Sequence, residues 1–135
     1  MSSSVACIIY NKGKLFIAHR NPVGDMGDRW EFPGGKVEDG ESDETTIERE
    51  MKEEFGVTAV PGKKIANASF CHKNKEFFLN AYLVKIPEDG IEVPFVLSEH
   101  TEYKWVLPEE IPVDNFVDSD LKILPSVLKY LENNK

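Results

Sequence analysis

The clearest structural signal in the chain lies in residues 35–57, which read GKVEDGESDETTIEREMKEEFGV. Residues 42–55 contain neither glycine nor proline and are rich in good helix formers, so they predict a helix. Ser42 or Asp43 can cap the beginning of this helix, and Gly56 can end it. The segment therefore predicts a glycine-containing loop followed directly by one helix.

Two sets of side chains line neighbouring faces of this predicted helix. Residues three or four positions apart share a helix face. The apolar stripe consists of Ile47, Met51 and Phe55, and the acidic face consists of Glu50, Glu53 and Glu54. Carboxylates this close repel one another, which is unfavourable unless a hard divalent cation such as Mg²⁺ or Mn²⁺ lies among them. A solvated acidic face is the alternative, and the helix alone leaves both interpretations open.

The residues before the helix favour the metal-site interpretation. Gly34 and Gly35 allow another group to approach the backbone closely. Glu41 precedes Arg49 by eight residues, which is close enough for an ion pair between the loop and the helix. A loop that is tied to an acidic helix in this way is more than a solvated surface.

The whole segment resembles the Nudix box, whose pattern is G-x5-E-x7-R-E-U-x-E-E-x-G-U, with U an apolar residue. The matching residues are Gly35, Glu41, Arg49, Glu50, Met51, Glu53, Glu54, Gly56 and Val57. Every fixed position agrees, and Met51 is only a less common choice at its position. The resemblance implies a single domain over residues 1–135, with an α/β/α sandwich fold in which helices flank a mixed central sheet.

The resemblance also implies roles for the residues of the box. The implied metal site consists of Glu50, Glu53, Glu54 and Gly35, with Mg²⁺ as the cofactor and Mn²⁺ as an alternative. Arg49 would orient a carboxylate, and Glu41 would mainly tie the loop to Arg49. Together with Glu53 and Glu54, Arg49 is therefore a catalytic candidate. A bound metal neutralises bridging phosphates and orients water for attack at phosphorus.

A further catalytic glutamate is often carried by family members in the loop that here holds Glu99. Glu102 is the alternative, and either residue could act as a general base or as an extra metal ligand.

The residues before the box point to a subfamily. Residues 30–36, WEFPGGK, look like the corresponding segment of MutT-type nucleoside triphosphate pyrophosphohydrolases. The same resemblance places Arg20 at a phosphate-contacting position, where a guanidinium can clamp a triphosphate. An exposed arginine at the end of a strand is the alternative.

The implied base pocket rests on residues near the C-terminus. Asp120 falls where MutT-like enzymes place an Asn or Asp at the base edge, and Asn115 is a nearby rival. An ionised Asp lacks the donor that Asn has, which leaves recognition of an oxidised guanine open. Asp120 could equally cap a helix. Phe32 could stack on a base, as could Phe78 and Trp105, although core packing is favoured for all three.

Strands and helices are mixed along the rest of the chain, which predicts an α/β or α+β domain. Extended segments are predicted at 5–10, 15–19, 30–32, 64–72, 76–86 and 103–107, and a helix is predicted at 120–131. Residues 11–13 read as a hairpin turn, and the polar residues 73–75 join the two extended segments on either side of them. Residues 33–35 are expected to end the third extended segment. Cys7 and Cys71 are expected to be buried free thiols.

Composition limits the partners. A chain of 135 residues suits one domain, and its net charge of −8 argues against binding a nucleic-acid polymer. The chain has no apolar run near the roughly 18 residues that a membrane span needs, and no signal-peptide pattern. A cytoplasmic protein without membrane contact is therefore expected, as a monomer or a homodimer.

Three functions remain for these features. The leading hypothesis is Mg²⁺-dependent hydrolysis of a nucleoside triphosphate, including an oxidised one such as 8-oxo-dGTP, to a monophosphate and pyrophosphate. The second keeps the enzyme but takes a nucleoside-diphosphate sugar, a dinucleotide or another organic pyrophosphate. The third is a non-catalytic ligand sensor, against which the intact set of box glutamates counts.

Overall fold

The computed structural model describes residues 2–22, 24, 26–87 and 100–134. The strands are β1 (Ser2–Ile8), β2 (Tyr10–Asn11), β3 (Lys14–Arg20), β4 (Trp30–Glu31), β5 (Gly34–Lys36), β6 (Val60–His72), β7 (Lys75–Lys85) and β8 (His100–Val106). The helices are α1 (Asp43–Phe55) and α2 (Asp118–Asn133), and two 3₁₀ turns span Pro108–Glu110 and Val113–Asn115. No helix within the described residues is long and apolar enough to cross a membrane.

The strands form two four-stranded sheets. The first has the order β5-β1-β7-β6, in which β1 and β7 are parallel and the other pairs are antiparallel. In the second, β3 pairs antiparallel with β2, β4 and β8. The predicted combination of a mixed sheet and helices is confirmed.

The strands β1 and β3 bury both of their faces. In β1, Val5 and Cys7 pack into the core under α1, whereas Ala6 and Ile8 pack into the core with α2. Successive side chains of a strand point to opposite faces, so a strand between two layers is a continuous apolar run. The apolar run from Val5 to Ile9 therefore marks a layer that has a helix on each side.

The predicted hairpins are present. Lys12 and Gly13 connect β2 to β3 with φ values of 52° and 81°, and Lys73 and Asn74 connect β6 to β7 with φ values of 52° and 63°. Two consecutive residues with positive φ are typical of the turns that match the twist of paired strands.

Four sequence expectations were wrong in detail. Residues 33–35 do not simply end an extended segment, because Gly34 enters β5 and pairs with β1. Gly34 has a φ of 150°, and a side chain there would collide with the carbonyl oxygen of Val5. The last helix begins at Asp118 rather than at residue 120, and it runs on to Asn133 instead of ending at residue 131. Cys71 is exposed, since it lies on the outer strand β6.

Candidate active site

Helix α1 has its expected caps and its expected buried stripe. Ser42 Oγ accepts a hydrogen bond from the backbone N–H of Thr45, and Gly56 ends the helix with a φ of 68°. Ile47, Met51 and Phe55 are at most 1% exposed. Because this stripe is fixed in the core, the rotation of the helix is fixed, and the neighbouring acidic face is directed towards the loop before it.

Arg49 is the centre of the acidic face. Its Nε donates a hydrogen bond to Glu41 Oε2 at 2.8 Å. One terminal nitrogen donates to Glu50 Oε1 at 2.9 Å and to Glu53 Oε2 at 3.3 Å. The other terminal nitrogen donates to the carbonyl oxygen of Lys36 at 3.2 Å. The Glu41–Arg49 pair is the ion pair that the spacing of eight residues predicts. One guanidinium therefore holds the loop and two candidate metal ligands in a fixed arrangement.

Glu41 is held from several sides. Its Oε1 accepts hydrogen bonds from the backbone N–H of Glu38 at 3.0 Å and from the Thr46 hydroxyl at 2.9 Å. The hydrogen bonds from Arg49, followed by the one from Glu38, lower the pKa of Glu41 to about 2. The same pairing raises the pKa of Arg49. Both groups therefore stay charged across the working pH range of proteins.

Gly35 makes room for Glu50. A Cβ at position 35 would lie 2.5 Å from the Glu50 carboxyl carbon, so only glycine leaves space for this carboxylate. Burial raises the pKa of Glu50, and hydrogen bonds with Glu54 and Arg49 act against that rise. Glu54, which is 3% exposed, lies beside it. Two partly desolvated carboxylates thus meet next to the β5 backbone.

The donor set suits a hard cation. Oxygen ligands from a few carboxylates are what Mg²⁺ and Mn²⁺ prefer, and the missing side chain of Gly35 lets the Glu50 carboxylate lie against the β5 backbone. Within the part of the chain that the structure describes, no three His, Cys, Asp or Glu side chains are already arranged as a metal cage. Glu53, whose side chain is 59% exposed, is turned to Arg49, so a small rearrangement would be needed to add its oxygen to those of Glu50 and Glu54.

Arg20 lies at the end of β3 and is paired within the protein. One of its terminal nitrogens donates to Glu31 Oε1 at 3.2 Å, and its side chain is 35% exposed. Its Nε is buried and has no hydrogen-bond partner among the described residues. Arg20 is therefore partly exposed and has one unpaired nitrogen among the described residues, and its predicted phosphate contact stays a prediction.

Asp120 does not cap α2, which corrects one of its two interpretations. Val117 occupies the N-cap position, and its side chain makes no capping hydrogen bond. Asp120 lies inside the first turn of the helix. Its Oδ2 instead accepts a hydrogen bond from the backbone N–H of Phe32 at 2.9 Å. Burial, followed by the negative charge of Glu31, raises the pKa of Asp120 to about 8. At neutral pH most of this carboxyl is protonated and can donate a hydrogen bond.

The aromatic candidates are mainly core residues. Phe32 is 3% exposed and packs edge-on against Phe116 at 5.3 Å between ring centroids. Trp105 packs against Phe16 in the core under α1. Phe78 is half-buried on β7, with its side chain on the same strand face as Tyr82, which belongs to the α1 core. Phe32 and Trp105 therefore pack in the core, as the favoured interpretation predicts.

The other predicted residues are scattered. The Asn115 amide donates to the carbonyl oxygen of Asp28 at 2.9 Å and so ties two loops together. Glu102 is exposed on β8, in register with His19 of β3. Glu99 lies outside the described residues. Neither the base contact of Asn115 nor the catalytic role of either glutamate is decided by these positions, so all three stay predictions.

Two supporting contacts of the box were missed from sequence. Thr46 is fully buried and donates to Glu41, although nothing distinguishes it from any other helix threonine. Asp43 accepts hydrogen bonds from the Tyr82 hydroxyl at 2.7 Å and from the Asn80 amide at 3.2 Å. The alternation of β7, which places Asn80 and Tyr82 on one face, is the only signal that groups these donors.

Known proteins are similar to this chain in sequence and in fold. Residues 2–127 match the family described as NUDIX domain. The chain is 30% identical to the CTP pyrophosphohydrolase of Escherichia coli strain K12 over 95% of this chain and 92% of that protein. It is also 30% identical to an 8-oxo-dGTP diphosphatase of Haemophilus influenzae, with the same coverage. The solution structure of the E. coli ORF135 protein matches it with a TM-score of 0.79 and 30% identity, covering 96% of this chain and 89% of that one.

Proposed function

Because the chain belongs to the NUDIX domain family and is a Nudix hydrolase, we propose that it hydrolyses nucleoside triphosphates with Mg²⁺ to a nucleoside monophosphate and pyrophosphate. Oxidised nucleotides such as 8-oxo-dGTP are included among the proposed substrates. One observation carries the proposal, namely that Arg49 holds Glu41, Glu50 and Glu53 in one hydrogen-bonded cluster, while Gly35 leaves room for the Glu50 carboxylate.

The box residues hold the metal and the reacting groups in place. Glu50, Glu53 and Glu54 would hold Mg²⁺, with Mn²⁺ as an alternative, while Arg49 sets the orientation of the first two. The bound ion supplies charge neutralisation on the phosphates and orients water. The proton of the attacking water passes to a carboxylate, for which Glu53 and Glu54 are the candidates in the box and Glu99 and Glu102 are the candidates outside it.

The substrate class rests on Arg20, on Asp120 and on the relatives. Arg20 is partly exposed at the end of β3 and can exchange its bond with Glu31 for phosphate oxygens. A mostly protonated Asp120 offers both a donor and an acceptor to a base edge, so it can replace the Asn that an ionised Asp could not. The two relatives described above are named for nucleoside triphosphates, CTP and 8-oxo-dGTP.

The test is a panel of nucleotides and organic pyrophosphates with Mg²⁺, scored by product identity. Release of pyrophosphate from a triphosphate supports the proposal, whereas two phosphorylated fragments from a nucleoside-diphosphate sugar or a dinucleotide would replace it with the second hypothesis. Binding without turnover of any compound would favour a ligand sensor.

The metal assignment has its own test. Glu53→Gln and Glu54→Gln keep the side-chain shape and remove the charge, and each should lower kcat by about 100-fold or more. Glu48→Gln is the matched control, because Glu48 is an exposed glutamate of the same helix. If all three variants hydrolyse the best substrate at the wild-type rate, the assigned metal site is wrong.

A further inference from the structure

Two adjoining hollows lie at the end of the molecule that is formed by β2, the start of β6 and the last turns of α2. The first has a volume of about 450 Å³ and the second a volume of about 550 Å³. Tyr10 and Leu131 line both hollows, which makes them one continuous surface, called here the Tyr10 surface. No residue of the box lines either hollow, so this surface is separate from the candidate active site.

The Tyr10 surface exposes apolar side chains. Val60, at 59% exposure, lines the first hollow, and Leu107, at 37%, lines the second. Only one other large apolar side chain within the described residues, Val113, is comparably exposed. Clustered apolar exposure around a concave surface is typical of a contact with another protein rather than of a surface that faces only water.

The charges of the Tyr10 surface are divided into two halves. The first hollow is bordered by the exposed side chains of Lys63 and Lys85. The second is bordered by the exposed side chains of Glu109 and Glu132. The surface therefore has a basic half and an acidic half, which share Tyr10 and Leu131.

We propose that the Tyr10 surface binds the same surface of a second copy of this chain and forms a two-fold symmetric dimer. In such a dimer the same patch of both copies meets, so residue i of one copy faces residue j of the other and the reverse. A two-fold axis near Tyr10 and Leu131 brings the basic half of each copy onto the acidic half of its partner. The apolar side chains around the axis are buried by the same contact.

A second copy is complementary in charge to the whole Tyr10 surface, whereas an unrelated acidic or basic partner is not. A uniformly charged partner would match one half of the Tyr10 surface and repel the other. A second copy matches both halves at once.

The test is the mass in solution, measured by sedimentation velocity over a range of concentrations at low and high salt. The wild-type chain should approach twice its 15.3 kDa as the concentration rises, and high salt should shift it back towards the monomer. Lys63→Glu with Lys85→Glu makes both halves acidic, and Glu109→Lys with Glu132→Lys makes both halves basic. Each double variant should be monomeric where the wild type is dimeric, and an equimolar mixture of the two should dimerise again.

The control is Lys73→Glu with Lys75→Glu, which makes the same charge change at the opposite end of the β6–β7 hairpin. This variant should dimerise like the wild type, and circular dichroism should show that every variant is folded. A wild type that stays at 15.3 kDa up to millimolar concentration overturns the proposal. So does a pair of charge variants that dimerise unchanged, or a mixture that is no heavier than its components.

Discussion

Glu41 of the box and Asp120, the candidate base-pocket residue, are both held by hydrogen bonds, yet the protein shifts their pKa values in opposite directions. Arg49 lowers the pKa of Glu41 to about 2, whereas burial raises the pKa of Asp120 to about 8. Glu41 gains a guanidinium partner, while Asp120 is 5% exposed and accepts a hydrogen bond from the neutral backbone N–H of Phe32. A full positive charge stabilises a carboxylate, and one neutral donor does not make up for lost hydration.

The two regions also differ in how far apart their partners lie in sequence. Arg49, the main partner of Glu41, is eight residues away, whereas Phe32, the partner of Asp120, is 88 residues away. The box is thus built by spacing along one loop and one helix. The contact between Phe32 and Asp120, on which the proposed base pocket rests, exists only after the segment that follows β4 has packed against α2. The predictions below test this contrast, beginning with the local region.

Gly35→Ala should have the largest effect, because it breaks the local region without changing any charge. The new Cβ would lie 2.5 Å from the Glu50 carboxyl carbon, so this carboxylate must move. A displacement of about 1 Å at a reacting group can cost about 100-fold in rate, and we expect a loss of that size in kcat with the best substrate. Steady-state kinetics and a Mg²⁺ titration measure it, and thermal unfolding checks the fold. Wild-type kcat in a folded variant would show that Glu50 is not held where the structure has it.

Arg49→Lys should have the next largest effect. Lysine keeps the positive charge but cannot hold Glu41, Glu50 and Glu53 together with one planar fork. Loss of a residue that orients metal ligands usually costs about 10- to 100-fold in metal affinity or activity, so the Mg²⁺ concentration for half-maximal rate should rise. Lys52→Arg is the control, since this residue lies on the same helix and is exposed. An unchanged Mg²⁺ dependence in Arg49→Lys would mean that charge alone is sufficient.

The same contrast explains how much could be predicted from sequence. The bounds of α1, its caps and the Glu41–Arg49 pair followed from spacing, because all of their partners lie within one short segment. The hairpins followed from turn chemistry for the same reason. The resemblance to a family then supplied the mixed sheet and the two flanking helices, which no local pattern determines.

The errors lie where contacts are distant. The interpretation of Asp120 as a helix cap failed because its carboxyl is taken up by Phe32, a residue far away in the chain. The strand at Gly34 was missed because its signal is the absence of a side chain next to β1, and β1 lies almost 30 residues earlier. The donors to Asp43 were missed because β7 reaches α1 only in the folded protein.

Asp120→Asn tests the other half of the comparison through the pH dependence of stability. The folded pKa of Asp120 lies above its unfolded value, so the folded state binds the proton more tightly than the unfolded chain does. The stability that this group contributes is therefore complete below pH 4 and is lost as the pH rises to about 8. The free energy of unfolding falls by at most about 1.4 kcal/mol per pH unit from this cause. Asparagine does not titrate, so the substitution should remove this pH dependence.

Urea unfolding from pH 5 to pH 9 measures this difference. Asp120→Asn should gain stability over the wild type up to about pH 8 and then keep a constant difference. Glu41→Gln is the opposite case, because its low folded pKa contributes stability that is present above pH 4.5 and lost as the pH falls towards 2. If Asp120→Asn and the wild type have parallel curves, the Asp120 carboxyl is ionised in the folded protein, and the proposed donor to the base edge is lost with it.

Tyr82→Phe should have the smallest effect, and it tests a contact that joins the local segment to a residue distant in sequence. Asp43 lies in the local segment, at the start of α1, yet its donor Tyr82 lies 39 residues away on β7. A hydrogen bond to a partly exposed carboxylate contributes about 1 kcal/mol, so the free energy of unfolding should fall by that amount, while Asn80 still bonds Asp43. A double-mutant cycle with Asp43→Ala separates this bond from the effect of Asp43 on the helix dipole. A coupling energy near zero would mean that the apolar stripe alone positions α1. A clear coupling energy would mean that even the local region needs one distant contact to bring its glutamates to Gly35.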